Sequence, residues 1–255
     1  MGKPIEGSLE RALAGNPAPQ TLPTPQPITQ NAPSPANGIS NPADYIFLEG
    51  QNYVGNNAYD DTLVSMDLTH KGKNWNEAHV LLQQEGAYML KIRQFVDFLN
   101  LLKSGKAFDG TGKLVNQSKL TSILDEIWTV RSPWRSEWLD AKFEKKGGTL
   151  GMGGDMYINH GHKIVNGQPQ PLFSDKLASY LSSDKQIDHD SLLANANQWG
   201  LPRPDIKAGS LYYWSPANGK VAGFFADSDG AYLFCVRIPS VTNSYLGVRA
   251  VRKKI

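Results

Sequence analysis

A chain of 255 residues with 40% hydrophobic side chains can build one large domain or two small ones around a true core. Its 26 basic residues nearly balance 24 acidic ones, for a net charge of +2, which argues against nucleic acid as a partner because phosphate recognition needs a marked basic excess. With a single cysteine, Cys235, no internal disulfide can form, and no apolar run is long enough to span a bilayer.

Residues 1–43 carry Pro17, Pro19, Pro23, Pro25, Pro27, Pro33, Pro35 and Pro42, separated by Ala, Thr, Gln, Ser and Asn. Proline removes backbone donors and fixes φ, and few large apolar side chains are there to bury, so the segment reads as a disordered tail or linker. The opening Met1-Gly2-Lys3-Pro4-Ile5-Glu6 lacks the charged-then-apolar order of a secretory signal. Synthesis in the cytoplasm is expected, with association with a virion or a surface left open.

The folded domain is expected over residues 44–255. Tyr45-Ile46-Phe47-Leu48 reads as a strand. Asn74, with Glu77 three residues on, marks a helix start, and Ala78, Leu81 and Leu82 follow on one face before Gly86. A second helix carries Ile92, Phe95, Val96 and Leu99 at helical spacing and stops at Ser104-Gly105. A third carries Leu120, Ile123, Leu124 and Ile127. Trp128, Trp134 and Trp138 lie in an interrupted segment expected at the heart of the core, followed by turns at Gly147, Gly148, Gly151, Gly153 and Gly154. Met156-Tyr157-Ile158 and Lys163-Ile164-Val165 read as two strands joined through Asn159-His160-Gly161-His162, and 174–200 as short helices and loops. Four strands are expected at the end, over 211–214, 220–226, 231–236 and 246–251. Turns at Pro216-Ala217-Asn218-Gly219 and Ser228-Asp229-Gly230 separate the first three. Helices first and a C-terminal antiparallel β-meander last make an α+β fold. The basic cluster Arg249, Arg252, Lys253 and Lys254 reads as a solvated tail.

Residues that could carry chemistry are few. His160 and His162, two apart, would share a face of a strand, and Asp155 is near in sequence, but metal sites need more ligands and a polar turn is the better reading. Asp188-His189-Asp190 reads as a turn or helix start. No Gly-x-Ser-x-Gly elbow occurs, and Cys235 has apolar neighbours with only Arg237 to lower its pKa. No catalytic residue, metal or cofactor is expected.

The stretch 221–247 is unusual in another way. It contains no Glu, Lys, Gln, Met or Trp, the amino acids whose codons cannot end in a pyrimidine. Within it Ala231, Leu233 and Cys235 alternate with Tyr232, Phe234 and Val236, so a strand would send the compact set to one face and the bulky set to the other. Asp227 and Asp229 argue against burial of both faces. Exposed aromatics beside polar groups supply contact area at low entropy cost, which suits a binding surface.

The frame between these positions reads Tyr213-Trp214-x-Pro216, Val221-Ala222-x-Phe224-x-Ala226-x-Ser228, Ala231-x-Leu233-x-Cys235, Pro239-Ser240 and Leu246-Gly247-Val248-Arg249. It resembles the variable proteins of diversity-generating retroelements, in which an error-prone reverse transcriptase rewrites adenines in a C-terminal repeat while the frame stays fixed. The resemblance is closest over 211–252, and Trp75-x-Glu77-Ala78 at a helix start fits the first helix of such domains. It implies a C-type-lectin-like domain, a fold shared with formylglycine-generating enzymes. By the same resemblance the diversified, ligand-binding positions are Phe225, Asp227, Asp229, Gly230, Tyr232, Phe234, Val236, Arg237, Ile238, Val241, Asn243, Ser244 and Tyr245. The implied partner is an unidentified protein or other macromolecule, and the oligomeric state is open.

Other uses of this fold match the residues less well. A formylglycine-generating oxidase needs paired cysteines, and only Cys235 is present. A calcium-dependent sugar lectin uses Glu-Pro-Asn or Gln-Pro-Asp with Trp-Asn-Asp, and none of these occurs. An adhesin or structural surface protein without diversification is the main alternative.

Overall fold

Asn74 and Glu77 start a helix as their spacing predicts. The Asn74 side chain accepts from Glu77 N at 2.9 Å, and the Glu77 carboxylate accepts from Asn74 N at 3.0 Å. The computed structural model describes residues 41–148 and 153–254. The proline-rich segment lies outside the described residues except for Asn41, Pro42 and Ala43, as does Gly151 of the glycine-rich turn.

The first half comprises β1 (Tyr45–Leu48), β2 (Thr62–Ser65), α1 (Trp75–Gln84), β3 (Tyr88–Met89), α2 (Ile92–Ser104) and α3 (Gln117–Trp128). Helix α2 turns Phe95, Val96, Leu99 and Leu102 inward and ends at Gly105, whose φ of 68° suits glycine. The second half begins with β4 (Arg135–Lys146), β5 (Asp155–His160), β6 (Lys163–Val165), β7 (Gln168–Gln170), β8 (Phe173–Lys176) and β9 (Lys185–Ile187). It continues with α4 (His189–Asn195), β10 (Leu211–Trp214), β11 (Val221–Ala226), β12 (Ala231–Arg237), β13 (Leu246–Gly247) and β14 (Ala250–Lys253). The fold is α+β. The larger sheet has the order β8-β5-β4-β11-β12-β10-β9 with β13 beside β4, a smaller sheet has the order β1-β2-β14-β3, and β6 pairs with β7. Phe95 of α2 meets Phe224 of β11 with ring centroids 5.2 Å apart, in a core that also holds Ile46, Ile123, Tyr213 and Leu233. A second cluster joins Trp75 and Ala78 to Trp138, Val221, Leu246 and Val248.

The C-terminal strands are not the antiparallel meander that their order suggests. β11 and β12 form a hairpin, with Phe225 opposite Tyr232. β10, however, lies beside β12 and runs parallel to it, β13 runs parallel to β4, and β14 belongs to the smaller sheet. The physical reason lies at Asn218-Gly219. Gly219 N donates to Phe143 O at 2.8 Å, and the Asn218 side chain accepts from Lys145 N at 2.9 Å. The turn is therefore bonded to β4, and β11 enters the sheet between β4 and β12 rather than folding back on β10. β5 and β6 are both strands, but they pair elsewhere, β5 with β4 and β8 and β6 with β7. Of the three tryptophans expected in the core only Trp138 is buried, while Trp128 and Trp134 are half-buried.

Arg249 is not part of a solvated tail: it is 1% exposed. Its Nη1 donates to the carbonyls of Ser65 and Met66, its Nη2 donates to Glu126 Oε2 at 2.8 Å, and its Nε lies 3.0 Å from Glu137 Oε2. That last contact brings the charges together without hydrogen-bond alignment, since neither atom has a hydrogen-bond partner. Arg135 closes the network, meeting both Glu126 oxygens at 3.0 Å and Glu137 Oε1 at 2.9 Å. Burial alone would raise the Glu126 pKa, but the charges of Arg135 and Arg249 outweigh it and hold it below the ordinary value. A carboxyl held low in the folded state stabilises at neutral pH, and that contribution disappears as pH falls through its folded value. We therefore expect the thermal midpoint to drop once pH falls below about 4, the ordinary carboxyl range, and to drop less in Glu126→Gln. Calorimetry across the acid range checks this, and an equal drop in both proteins contradicts it.

Candidate functional site

The hairpin of β11 and β12 sorts its side chains by alternation. Phe224, Ala226, Leu233 and Cys235 are buried, whereas Phe225, Tyr232, Phe234 and Val236 lie half-buried on the opposite face. Parallel pairing with β10 adds Tyr212 beside Tyr232 and Trp214 beside Phe234. Tyr212 and Tyr232 stack at 4.8 Å with an interplanar angle of 18°. The Trp214 and Phe234 rings lie 5.5 Å apart, Phe225 and Tyr232 5.2 Å, and Trp134, from the segment before β4, 5.0 Å from Phe225 and 5.9 Å from Tyr245. The rings form two contacting groups on one face of the sheet, with Tyr212, Tyr232, Phe225, Trp134 and Tyr245 in one and Trp214 and Phe234 in the other.

Arg237 lies among them, its guanidinium carbon 5.4–5.8 Å from the ring centroids of Phe225, Phe234, Trp134 and Trp138. Among the described residues no carboxylate lies within 4.0 Å of it, and its Nε has no hydrogen-bond partner. Burial lowers its pKa to about 10, so it stays charged at neutral pH. Burial, followed by the charge of Asp227, raises the Tyr232 phenol to about 12, which keeps its proton as a donor.

The connection from β12 to β13 extends the surface. Ile238, Val241 and Tyr245 are 50%, 36% and 44% exposed, and Ser244 is exposed. Its backbone is tied down: Trp75 N donates to Pro239 O at 3.0 Å and Ser136 N to Tyr245 O at 3.0 Å. Three of the sequence-identified positions shape turns. Asp227 accepts from the backbone N of Asp229 and Gly230, and Asn243 accepts from Tyr245 N at 2.9 Å. Gly230 is buried, and a Cβ there would lie 3.2 Å from the Tyr212 ring. Asp229 is exposed at the hairpin tip.

Tyr212, Trp214 and Trp134 belong to the surface but were not evident from the sequence. Trp214 appears there as part of the fixed frame, yet it is 39% exposed while Tyr213 is 1% exposed. Leu211-Tyr212-Tyr213-Trp214 has bulky residues on both faces, so only the pairing partner shows which face is open.

The histidines divide differently from their spacing. His160 bonds Asp175 Oδ2 at 3.0 Å, and Asp155 is exposed and pairs with Lys176. His162 meets instead Asp140 of β4 and His79 of α1, all three buried, with ligand-capable atoms within 4.8 Å of one another. Burial lowers the His79 pKa to about 4. For Asp140, burial acts upward but the charge of His162 and its hydrogen bond prevail, lowering the pKa to about 2. Asp188 caps α4 by accepting from Ser191 N at 2.7 Å, and Asp190 pairs with Lys103. Cys235 is fully enclosed, and burial pushes its thiol pKa well up, away from nucleophilic thiolate.

Comparison with protein-family models, with curated proteins and with solved structures finds no significant match.

Loss of the half-buried rings differs from loss of the core beneath them. Tyr232→Ala with Phe234→Ala is expected to remove no more than about 3 kcal/mol, the upper worth of the three half-buried cross-strand ring pairs they make. Leu233→Ala is expected to remove about 2–5 kcal/mol. Urea unfolding compares them, and an equal or larger loss from the double variant contradicts the assignment of faces.

Proposed function

We propose that this chain is a ligand-binding protein rather than an enzyme, and that it presents a retroelement-diversified surface on a C-type lectin scaffold. The observation that carries the reading is the aromatic face of β10, β11 and β12, whose two ring groups flank a charged Arg237 that has no carboxylate partner among the described residues. Rings held by cross-strand pairing give contact area at small entropic cost, and a caged guanidinium is ready to meet an acidic group. The ligand is a macromolecule with an apolar surface and a carboxylate or similar anion. The buried frame beneath, Phe224, Ala226, Leu233 and Cys235, allows the exposed residues to change while the fold persists.

Sequencing codons 211–255 from a population of the source tests this. Substitutions are expected to concentrate at Phe225, Asp229, Tyr232, Phe234, Val236, Arg237, Ile238, Val241, Ser244 and Tyr245, and to spare Phe224, Leu233, Cys235 and Arg249. A uniform spread, or invariance of both sets, overturns diversification and leaves a fixed adhesin surface.

A further inference from the structure

We propose that His79, Asp140 and His162 form a binding site for one divalent transition-metal ion of the zinc class, with an exchangeable coordination position on an adjoining cavity. The residues come from α1, β4 and the turn after β5, distant in sequence, and converge with ligand-capable atoms within 4.8 Å of one another. Two imidazoles and one carboxylate are ligands suited to zinc and its neighbours, and less to calcium or magnesium, which take oxygen.

An independent observation is the state of His79. It is 4% exposed, yet its Nε2 has no hydrogen-bond partner and stands 3.7 Å from Asp140 Oδ1, too far for a bond. A buried polar atom beside a carboxylate but not bonded to it can take a shared cation as partner, whose entry would replace the hydrogen bond between His162 Nδ1 and Asp140 Oδ1. The surroundings are built to hold the ligands. Asp140 Oδ2 accepts from Gly161 N at 2.8 Å and from His162 N at 3.1 Å. The Trp75 ring meets the His79 and His162 rings edge-on, with centroids 4.2 and 4.8 Å away. Such supporting contacts fix ligand orientation in metal sites.

All three ligands border a cavity of about 850 Å³ whose walls include Tyr59, Tyr88, Lys91, Gln94 and Phe173. Three protein ligands leave a tetrahedral ion at least one further position, which water or a small molecule from this cavity would fill. The cavity shares no residue with the aromatic face, so this site stands apart from the surface proposed for ligand capture.

The test uses the full chain, stripped with EDTA and then titrated with Zn²⁺ and, separately, with Co²⁺. Uptake of about one ion per chain is expected, with a rise in thermal midpoint and visible Co²⁺ absorption of a low-coordinate site. His79→Gln, which breaks no hydrogen bond, is expected to weaken binding at least about tenfold while the stripped variant melts like the stripped parent. Absence of uptake and of a Co²⁺ band in the parent overturns the proposal and leaves a hydrogen-bonded histidine–aspartate cluster. Binding by a folded His79→Gln as tight as the parent's also overturns it. The parent's Co²⁺ spectrum decides the matter even if the variant does not fold.

Discussion

A fully buried guanidinium is costly unless its charge is met, and Arg249 is placed where Glu126 and Glu137 can both reach it. The network ties together with charged groups elements that the main hydrophobic cluster also joins, β2, α3, β4 and the approach to β14. Arg249 binds the carbonyls of Ser65 and Met66 at the end of β2, α3 through Glu126, and β4 through Glu137. Arg135 cross-links the same two carboxylates. Removing one member of a buried pair typically costs about 3–5 kcal/mol because the other charge is left unpaired. Arg249 lies two residues past β13, immediately before β14, so this network anchors the far end of the segment that carries the exposed surface, while Phe224 and Leu233 anchor its middle in the core.

That division explains how one segment can be fixed and open together. On β12 alternate residues are buried, and Phe224 of β11 packs on Phe95 of α2, while Phe225 of β11 and Tyr232 and Phe234 of β12 lie on the other face. The connection to β13 is held by backbone hydrogen bonds from Trp75 and Ser136, which do not depend on side-chain identity in the loop. Asp227, Gly230 and Asn243 are different, because turn geometry or close approach to Tyr212 restricts what can replace them.

Local signals in the sequence were legible where the chain answers mainly to itself. The capping box at Asn74, the apolar stripe of α2 and the alternation of β12 each depend on residues a few positions apart. Long-range features were not legible. β4 carries Arg135, Glu137 and Asp140 on buried positions, a pattern that reads as polar until their partners from α1, α3 and β14's approach are in place. Arg249 beside Arg252, Lys253 and Lys254 resembles a tail for the same reason. The parallel pairing of β10 with β12 accompanies bonds between the Asn218-Gly219 turn and β4, long-range contacts that hairpin rules do not include. His162 shares its cluster with residues far away in the chain, so its close spacing to His160 pointed to the wrong partner.

The most direct measurement for a replaceable surface on a fixed scaffold is the DNA sequence immediately downstream of the gene. A near-copy of the last coding stretch is expected there, with adenines at the codons for Phe225, Asp229, the outward residues of β12 and the loop after it, beside a reverse-transcriptase gene. Flanking DNA with neither the repeat nor that gene would contradict diversification, and the aromatic face would then be a single fixed binding surface.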